Sequence, residues 1–234
     1  MAYIARVSRA LRTALMAAAA IGVAWPLAGQ QQITVKLEFE NEHVRVERVT
    51  IPPGRKSEMH SHPYPSLEIF LTDDHVLEIL ADGKRNEWKS KAGEVAWGGA
   101  ATHRVENLSK TPVVLLSIEF KSLPPAAAKL PGGPSALELE NEWVKVTRGR
   151  IAPKQKGAVH SHPMYIGVFL SDAVKIRAHF ADGTTRDFEG KRGDVSWRQP
   201  VTHSIENLAE TTFEAIDVNL KPPTAAAPVK NPWN

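Results

Sequence analysis

Six of the nine histidines in this 234-residue chain recur at places one hundred positions apart: His60, His62 and His103, then His160, His162 and His203. On an extended strand, residues i and i+2 point to one face with Cα atoms roughly 6.5–7 Å apart. Two imidazoles so placed can converge on one ion at about 2.0–2.1 Å from each nitrogen. A third histidine, from a strand about 40 residues later, completes a facial set with one side open. That is the arrangement of a site that admits substrate or oxygen, rather than of a closed structural site. Single histidines on strands are commonly solvated or hydrogen-bonded core residues; the duplicated spacing argues for ligands.

Glu68 offers a fourth donor in the first repeat. It shares strand parity with His60 and His62, while Leu67, Ile69 and Leu71 face the other way. A lone carboxylate in such an apolar stretch is costly unless paired or metal-bound. Matching Phe169–Leu170 to Phe70–Leu71 puts Gly167 at this place in the second repeat, so the fourth donor is expected only in the first. The chain has no cysteine. Disulfides, thiol catalysis and Cys-ligated zinc or iron–sulfur sites are therefore excluded, and a soft or borderline metal must be held by His, Asp or Glu.

The elements that must position these groups come from a tandem duplication. Glu40–Asn41–Glu42, Val44, Val46, Asp82–Gly83, Gly93, Val95, Trp97, Thr102 and Glu106–Asn107–Leu108 all recur one hundred positions later. Val35, Leu37 and Phe39 alternate with Lys36, Glu38 and Glu40, a period of 2. Turn signals at Pro52–Pro53–Gly54, Asp73–Asp74, Asp82–Gly83 and Thr111–Pro112 break the pattern into short strands. The sequence therefore predicts an all-β fold of two units over 34–121 and 136–221. Each is small for an independent core, so a shared buried face is expected. A Pro/Gly/Ala-rich linker covers 122–135, and 222–234 reads as a flexible C-terminal tail.

Arg6, Arg9 and Arg12 precede an apolar run from Ala14 to Trp25 that Pro26 stops. This reads as a signal peptide over 1–28, too short for a membrane span, and predicts a periplasmic or secreted protein with no membrane attachment after cleavage. Hydrophobic residues make up 42% and charged residues 24%, which excludes wholesale disorder. The net charge of +3 is accounted for by those three arginines. The rest of the chain is neutral, which argues against a nucleic-acid partner.

His60-x-His62, the downstream Glu68, Gly93 and His103-x-x-x-Asn107 resemble the two signature motifs of the cupin superfamily. His160-x-His162, Gly193 and His203-x-x-x-Asn207 match in the second repeat. The resemblance spans nearly all of the chain after residue 34. It implies a bicupin: two tandem jelly-roll β-barrels of the small conserved-barrel type. It also implies a divalent metal (iron, manganese, nickel, copper or zinc) held by His60, His62, Glu68 and His103, with His160, His162 and His203 as the second site. The sequence departs from the pattern at Gly98–Gly99–Ala100 and Gln199–Pro200–Val201, where the family has Pro-x-Gly.

Two function classes follow. One is a metal-dependent enzyme of dioxygenase, decarboxylase or isomerase type, with Glu68 as the catalytic carboxylate and the chemistry in the first repeat. The other is a non-catalytic cupin that binds metal or a small molecule. Either way the partner is a small-molecule ligand or substrate. Trp97 and Trp197 read as barrel packing, Tyr64, Tyr165 and Arg198 as candidates for a pocket mouth, and His43, His75 and His179 as solvated.

Overall fold

The two repeats build the same nine-strand pattern, because each apolar/polar alternation ends at a turn residue that the pleat cannot continue through. The first comprises β1 (Thr34–Glu40), β2 (Val44–Ile51), β3 (His60–His62), β4 (Ser66–Phe70), β5 (Val76–Leu80), β6 (Arg85–Trp88), β7 (Val95–Gly98), β8 (Ala101–Asn107) and β9 (Val113–Phe120). The second comprises β10 (Ala136–Glu140), β11 (Val144–Ile151), β12 (His160–His162), β13 (Tyr165–Phe169), β14 (Val174–Phe180), β15 (Thr185–Gly190), β16 (Val195–Arg198), β17 (Val201–Asn207) and β18 (Phe213–Leu220). This computed structural model describes residues 32–124 and 135–222. The expected signal peptide, most of the linker and nearly all of the tail lie outside the described residues.

Each repeat pairs a five-stranded with a four-stranded antiparallel sheet. The orders are β1-β2-β9-β4-β7 with β3-β8-β5-β6, and β10-β11-β18-β13-β16 with β12-β17-β14-β15. The fold is all-β, as expected, and no helix occurs among the described residues. Asn107 and Asn207, both buried, staple each barrel. Asn107 Nδ2 donates to the carbonyls of Ile51 and Thr111, and Asn207 Nδ2 does the same to Ile151 and Thr211. The motif asparagines are thus structural.

β9 shows how one strand serves two compartments. Leu116, Ile118 and Phe120 join the buried cluster of the first repeat, while Ser117 and Glu119 point to the other face, into the barrel. That cluster is continuous across the duplication: Val44, Leu67, Ile69 and Leu116 pack in one core with Val144, Ile166, Val168 and Ile216. Fully burying one such side chain is worth about 1.5–3 kcal/mol. The shared face expected for two small repeats is therefore the main core of the molecule.

The contact is reciprocal. Arg48 Nη2 donates to the Gly193 carbonyl at 2.6 Å, and Arg148 Nη2 donates to the Gly93 carbonyl at 2.6 Å. Gly193 has a positive φ of 84°, and a Cβ there would sit 2.7 Å from Arg48 Nη1 and 2.8 Å from Leu71 Cδ1. Only glycine fits. Trp97 and Trp197 pack against the shared core, and Trp97 stacks on Phe120 at 5.3 Å. His43, expected in solvent, is buried: it stacks on Trp197, and its Nδ1 is 3.0 Å from Ser122 Oγ. His75 and His179 face carboxylates, Glu87 at 2.7 Å and Glu206 at 2.8 Å.

Candidate metal centres

Register brings each histidine trio together. β3 pairs with β8 so that His60 lies opposite His103, and β12 pairs with β17 so that His160 lies opposite His203. His62 and His162 join from the same face, two residues along. Ring centroids are 4.9–5.2 Å apart in the first trio and 4.7–5.3 Å in the second. In each trio, one nitrogen per histidine lies within 4.8 Å of the other two.

In the first barrel the far side of every imidazole is tied down. His60 Nδ1 donates to the Glu58 carbonyl at 2.9 Å. A carbonyl only accepts, so this ring carries its proton on Nδ1 and leaves Nε2 as a bare lone pair. His62 Nδ1 meets Glu119 Oε1 at 2.7 Å, and His103 Nδ1 meets Glu78 Oε1 at 2.7 Å. Carboxylates in this position fix the tautomer and raise the basicity of the ligating nitrogen. Glu78 also accepts from Asn86 Nδ2 and Trp88 Nε1. Burial would raise its pKa, but these three hydrogen bonds outweigh it and hold the carboxyl below the ordinary range. His103 is held below the usual imidazole value by burial first, with Glu78 opposing and His60 and His62 adding to the effect.

Glu68 stands behind this trio and is not among the donors that converge. Its Oε1 accepts from Ser66 Oγ at 2.8 Å and Ser117 Oγ at 3.2 Å, while Oε2 is buried without a partner. Burial pushes its pKa up, against the two serines and His62. The set brought together is therefore three imidazoles with one carboxylate set back, rather than four converged donors.

The second barrel keeps the trio and changes what surrounds it. His160 Nδ1 again donates to a carbonyl, that of Ala158, at 2.9 Å. His162 Nδ1 meets Asn219 Oδ1 at 2.8 Å, where the first barrel has Glu119. Ala178 stands where Glu78 does, since the two occupy matching places opposite Ile205 and Val105. Without that carboxylate, burial, His160, His162 and Arg198 push His203 down to about 3.

Sequence reading found no carboxylate here, and the structure supplies one. Glu68 pairs across the ladder with Ser117; at the matching place Gly167 pairs with Asp217. The acid has moved to the neighbouring strand. A Cβ at Gly167 would sit in ordinary contact with Tyr165 Cε2 at 3.7 Å and Asp217 Oδ1 at 3.8 Å. Asp217 is raised to about 6 by burial, opposed by His160 and Arg198, and no hydrogen bond is among the influences on it. Its sequence signal is weaker than that of Glu68, because Phe213–Leu220 also carries Glu214 and Asn219.

His160, His162, His203 and Asp217 open onto a cavity of about 390 Å³. Its walls include Phe169, Phe180, Phe188, Phe213, Ile176 and Ile205. Of the residues expected near a pocket mouth, Tyr165 and Arg198 line it, and Tyr165 stacks on His162 at 4.2 Å with 18° between planes. Tyr64 is exposed and does not line it.

The donor sets fit a divalent transition metal. Each trio presents imidazole nitrogens, with Nδ1 hydrogen-bonded in all three rings of the first and in His160 and His162 of the second, and the first adds the orphaned Oε2 of Glu68 in a buried setting.

No family model matches the sequence, and no curated protein matches it. Solved structures do. AerE from Microcystis aeruginosa superposes with a TM-score of 0.57 at 14% identity, covering 80% of this chain and 97% of that one. The oxalate decarboxylase of Lactobacillus farciminis, solved as a formate complex, gives 0.56 at 13% over 82% and 81%. That of Bacillus subtilis, studied for its Mn(II) centres, gives 0.54 at 14% over 86% and 78%. These likenesses show the fold: two tandem jelly-roll β-barrels.

Proposed function

We propose that this bicupin is a metal-dependent enzyme acting on a small organic molecule, with a divalent transition metal held by each histidine trio. The observation that carries the reading is the second trio's opening onto an apolar cavity that also holds Asp217. A metal site that only stored its ion would need no such chamber, and about 390 Å³ falls within the range of small-molecule pockets. The Mn(II) centres of the B. subtilis oxalate decarboxylase support a divalent ion in this fold.

Within the chamber, His160, His162 and His203 would hold the ion, which when bound would supply Lewis acidity or a place for dioxygen. Asp217 is the group placed to hold or move a proton: in the metal-free protein burial raises its carboxyl to about 6. Tyr165 seats the His162 ring, and the phenylalanine walls exclude water. Decarboxylase, dioxygenase and isomerase chemistry all use these parts.

A second reading keeps the chemistry in the first barrel. The buried, unpartnered Oε2 of Glu68 favours it. There Glu68 would be the catalytic carboxylate, beside a metal on His60, His62 and His103. We further propose, from Arg6, Arg9, Arg12 and the apolar run behind them, that the protein is exported.

Metal analysis tests the core of the proposal. Protein loaded with zinc or manganese and desalted should retain about two equivalents; His103→Ala and His203→Ala should each lose one. Turnover of a candidate substrate should fail in His203→Ala and survive in His103→Ala. The reverse pattern moves the chemistry to Glu68, and wild-type retention below about one-tenth equivalent sinks the metal reading altogether.

A further inference from the structure

The walls of the second cavity carry a charge imbalance that the histidines and Asp217 do not use. Arg150, Arg186 and Arg198 line it, whereas Asp217 is the sole carboxylate among the lining residues. Arg150 is neutralised by Glu214 at 3.1 Å. Arg198 donates Nε to Ser196 Oγ at 2.9 Å, and no carboxylate lies within ion-pair distance of it or of Arg186 among the described residues. Both guanidinium carbons lie over the Phe188 ring, at 4.9 Å and 5.0 Å from its centroid. This contact holds the planar forks at the chamber wall without satisfying their N–H groups. Arg186 is exposed and its charge is solvated, whereas the half-buried Arg198 lines the apolar chamber without an ion pair. Such a charge is costly unless an anion completes it.

We infer that the cavity takes a monocarboxylic acid with an apolar ring or chain, its carboxylate on Arg198 and its body against Phe169, Phe180, Phe188 and Phe213. A guanidinium binds carboxylate through parallel N–H···O bonds, and Arg198 keeps both Nη groups for this. The phenylalanine surface selects the apolar body. A compact dianion would leave that surface uncovered. The first barrel has Thr50, Asn86 and Gly98 at the places of the three arginines, so this recognition belongs to the second barrel alone.

The inference rests on reading the second barrel as the substrate chamber, and calorimetric titration separates the two. Zinc-loaded and metal-free protein would be titrated with trans-cinnamate, its neutral amide, and oxalate. Wild-type protein should bind cinnamate at least about tenfold more tightly than either other probe. Arg198→Gln should bring the cinnamate-to-amide ratio to about one while leaving metal content at the wild-type level; Arg198→Lys should keep part of the preference. A wild-type ratio near one, a tighter grip on oxalate, or a ratio unchanged in Arg198→Lys and Arg198→Gln overturns the inference. The wild-type and Arg198→Lys measurements decide it even if Arg198→Gln does not fold. Cinnamate preference in protein that holds no metal would sink the metal-enzyme reading and leave this one standing. Metal retained without any preference for the acid would do the opposite.

Discussion

Around two histidine trios of similar ring spacing, the barrels differ in charge. The first surrounds its imidazoles with Glu68, Glu78 and Glu119; the second has Gly167, Ala178 and Asn219 at those places. The second then adds Asp217 where the first has Ser117, and Arg198 where it has Gly98. The trio has persisted because a cross-strand pair and an i, i+2 pair fix it through the backbone register alone. Everything that sets ligand basicity and admits a guest sits on neighbouring strands, free to diverge. An anionic surround strengthens the hold on a cation. A near-neutral, apolar surround gives that hold less support. On the proposed function, the first barrel keeps its ion and the second uses it.

The largest effect expected from this contrast is on metal affinity. Glu78→Ala removes the acceptor that orients His103 and should weaken metal binding in the first barrel about 10–100-fold. Asn219→Ala, which removes the partner of His162, should cost the second barrel less, because a neutral amide contributes less to ligand basicity. Competition titration with a chromophoric chelator, in variants that keep only one trio, reads both. If Asn219→Ala proves the more damaging, the first barrel's carboxylates do not distinguish the sites.

Much of this architecture was legible in the sequence. The period of 2, the duplication and the three-histidine spacing all follow from local rules, and the strands and trios lie where those rules put them. The shared core was also within reach, since two repeats of this size have little else to bury. What escaped was set by register between distant strands. Comparing the repeats position by position showed Glu68 becoming Gly167 and could not show the acid reappearing at Asp217, its ladder partner. Glu78 and Glu119 are surface-like residues on alternating strands until pairing aims them at His103 and His62. His43 has ordinary loop surroundings in sequence, and only the approach of the other repeat buries it under Trp197.

A smaller effect should appear in stability. Asp217 is raised to about 6 in the folded protein from an ordinary 3.8, by burial against the pull of His160 and Arg198. The fold thus prefers the protonated acid. Ionised Asp217 contributes an unfavourable amount that is full above pH 6 and absent below 3.8. At 1.36 kcal/mol per pKa unit, and allowing for its cavity-facing position, Asp217→Asn should stabilise metal-free protein by about 1–3 kcal/mol at pH 7.5. The gain should shrink as pH falls through 6 toward 4. Glu68→Gln should gain less, because Ser66 and Ser117 already satisfy one of its oxygens. Urea denaturation across this pH range tests both; a stability change at residue 217 that is independent of pH would mean the carboxylate is not strained by burial. More stability given up at Asp217 than at Glu68 is the pattern expected of a working site.

The smallest contrast lies at the shared face, where the duplication has stayed nearly symmetric. Arg48 and Arg148 each donate to a glycine carbonyl of the opposite repeat, and each is paired through Nε, with Glu38 at 2.6 Å and Glu138 at 2.7 Å. Arg148 has one partner more: Nη1 meets Glu214 at 2.6 Å, at the place Val114 holds in the first repeat. Its side chain is also less exposed, 10% against 24%. Methionine at either position keeps the apolar stem and deletes the fork. Arg148→Met takes a partner from Glu138, Glu214 and the Gly93 carbonyl, and Arg48→Met from Glu38 and the Gly193 carbonyl. Arg150 still holds Glu214, and Lys36 still holds Glu38. Since a hydrogen bond to a charged group is worth about 1.5–3 kcal/mol, less where solvent screens it, Arg148→Met should cost about 2–3 kcal/mol and Arg48→Met about 1–2. Both should leave a single unfolding transition, because the core they border belongs to both barrels and neither can melt without exposing the other's face. Two resolved transitions, or a larger loss at Arg48, would show that the barrels are stabilised separately.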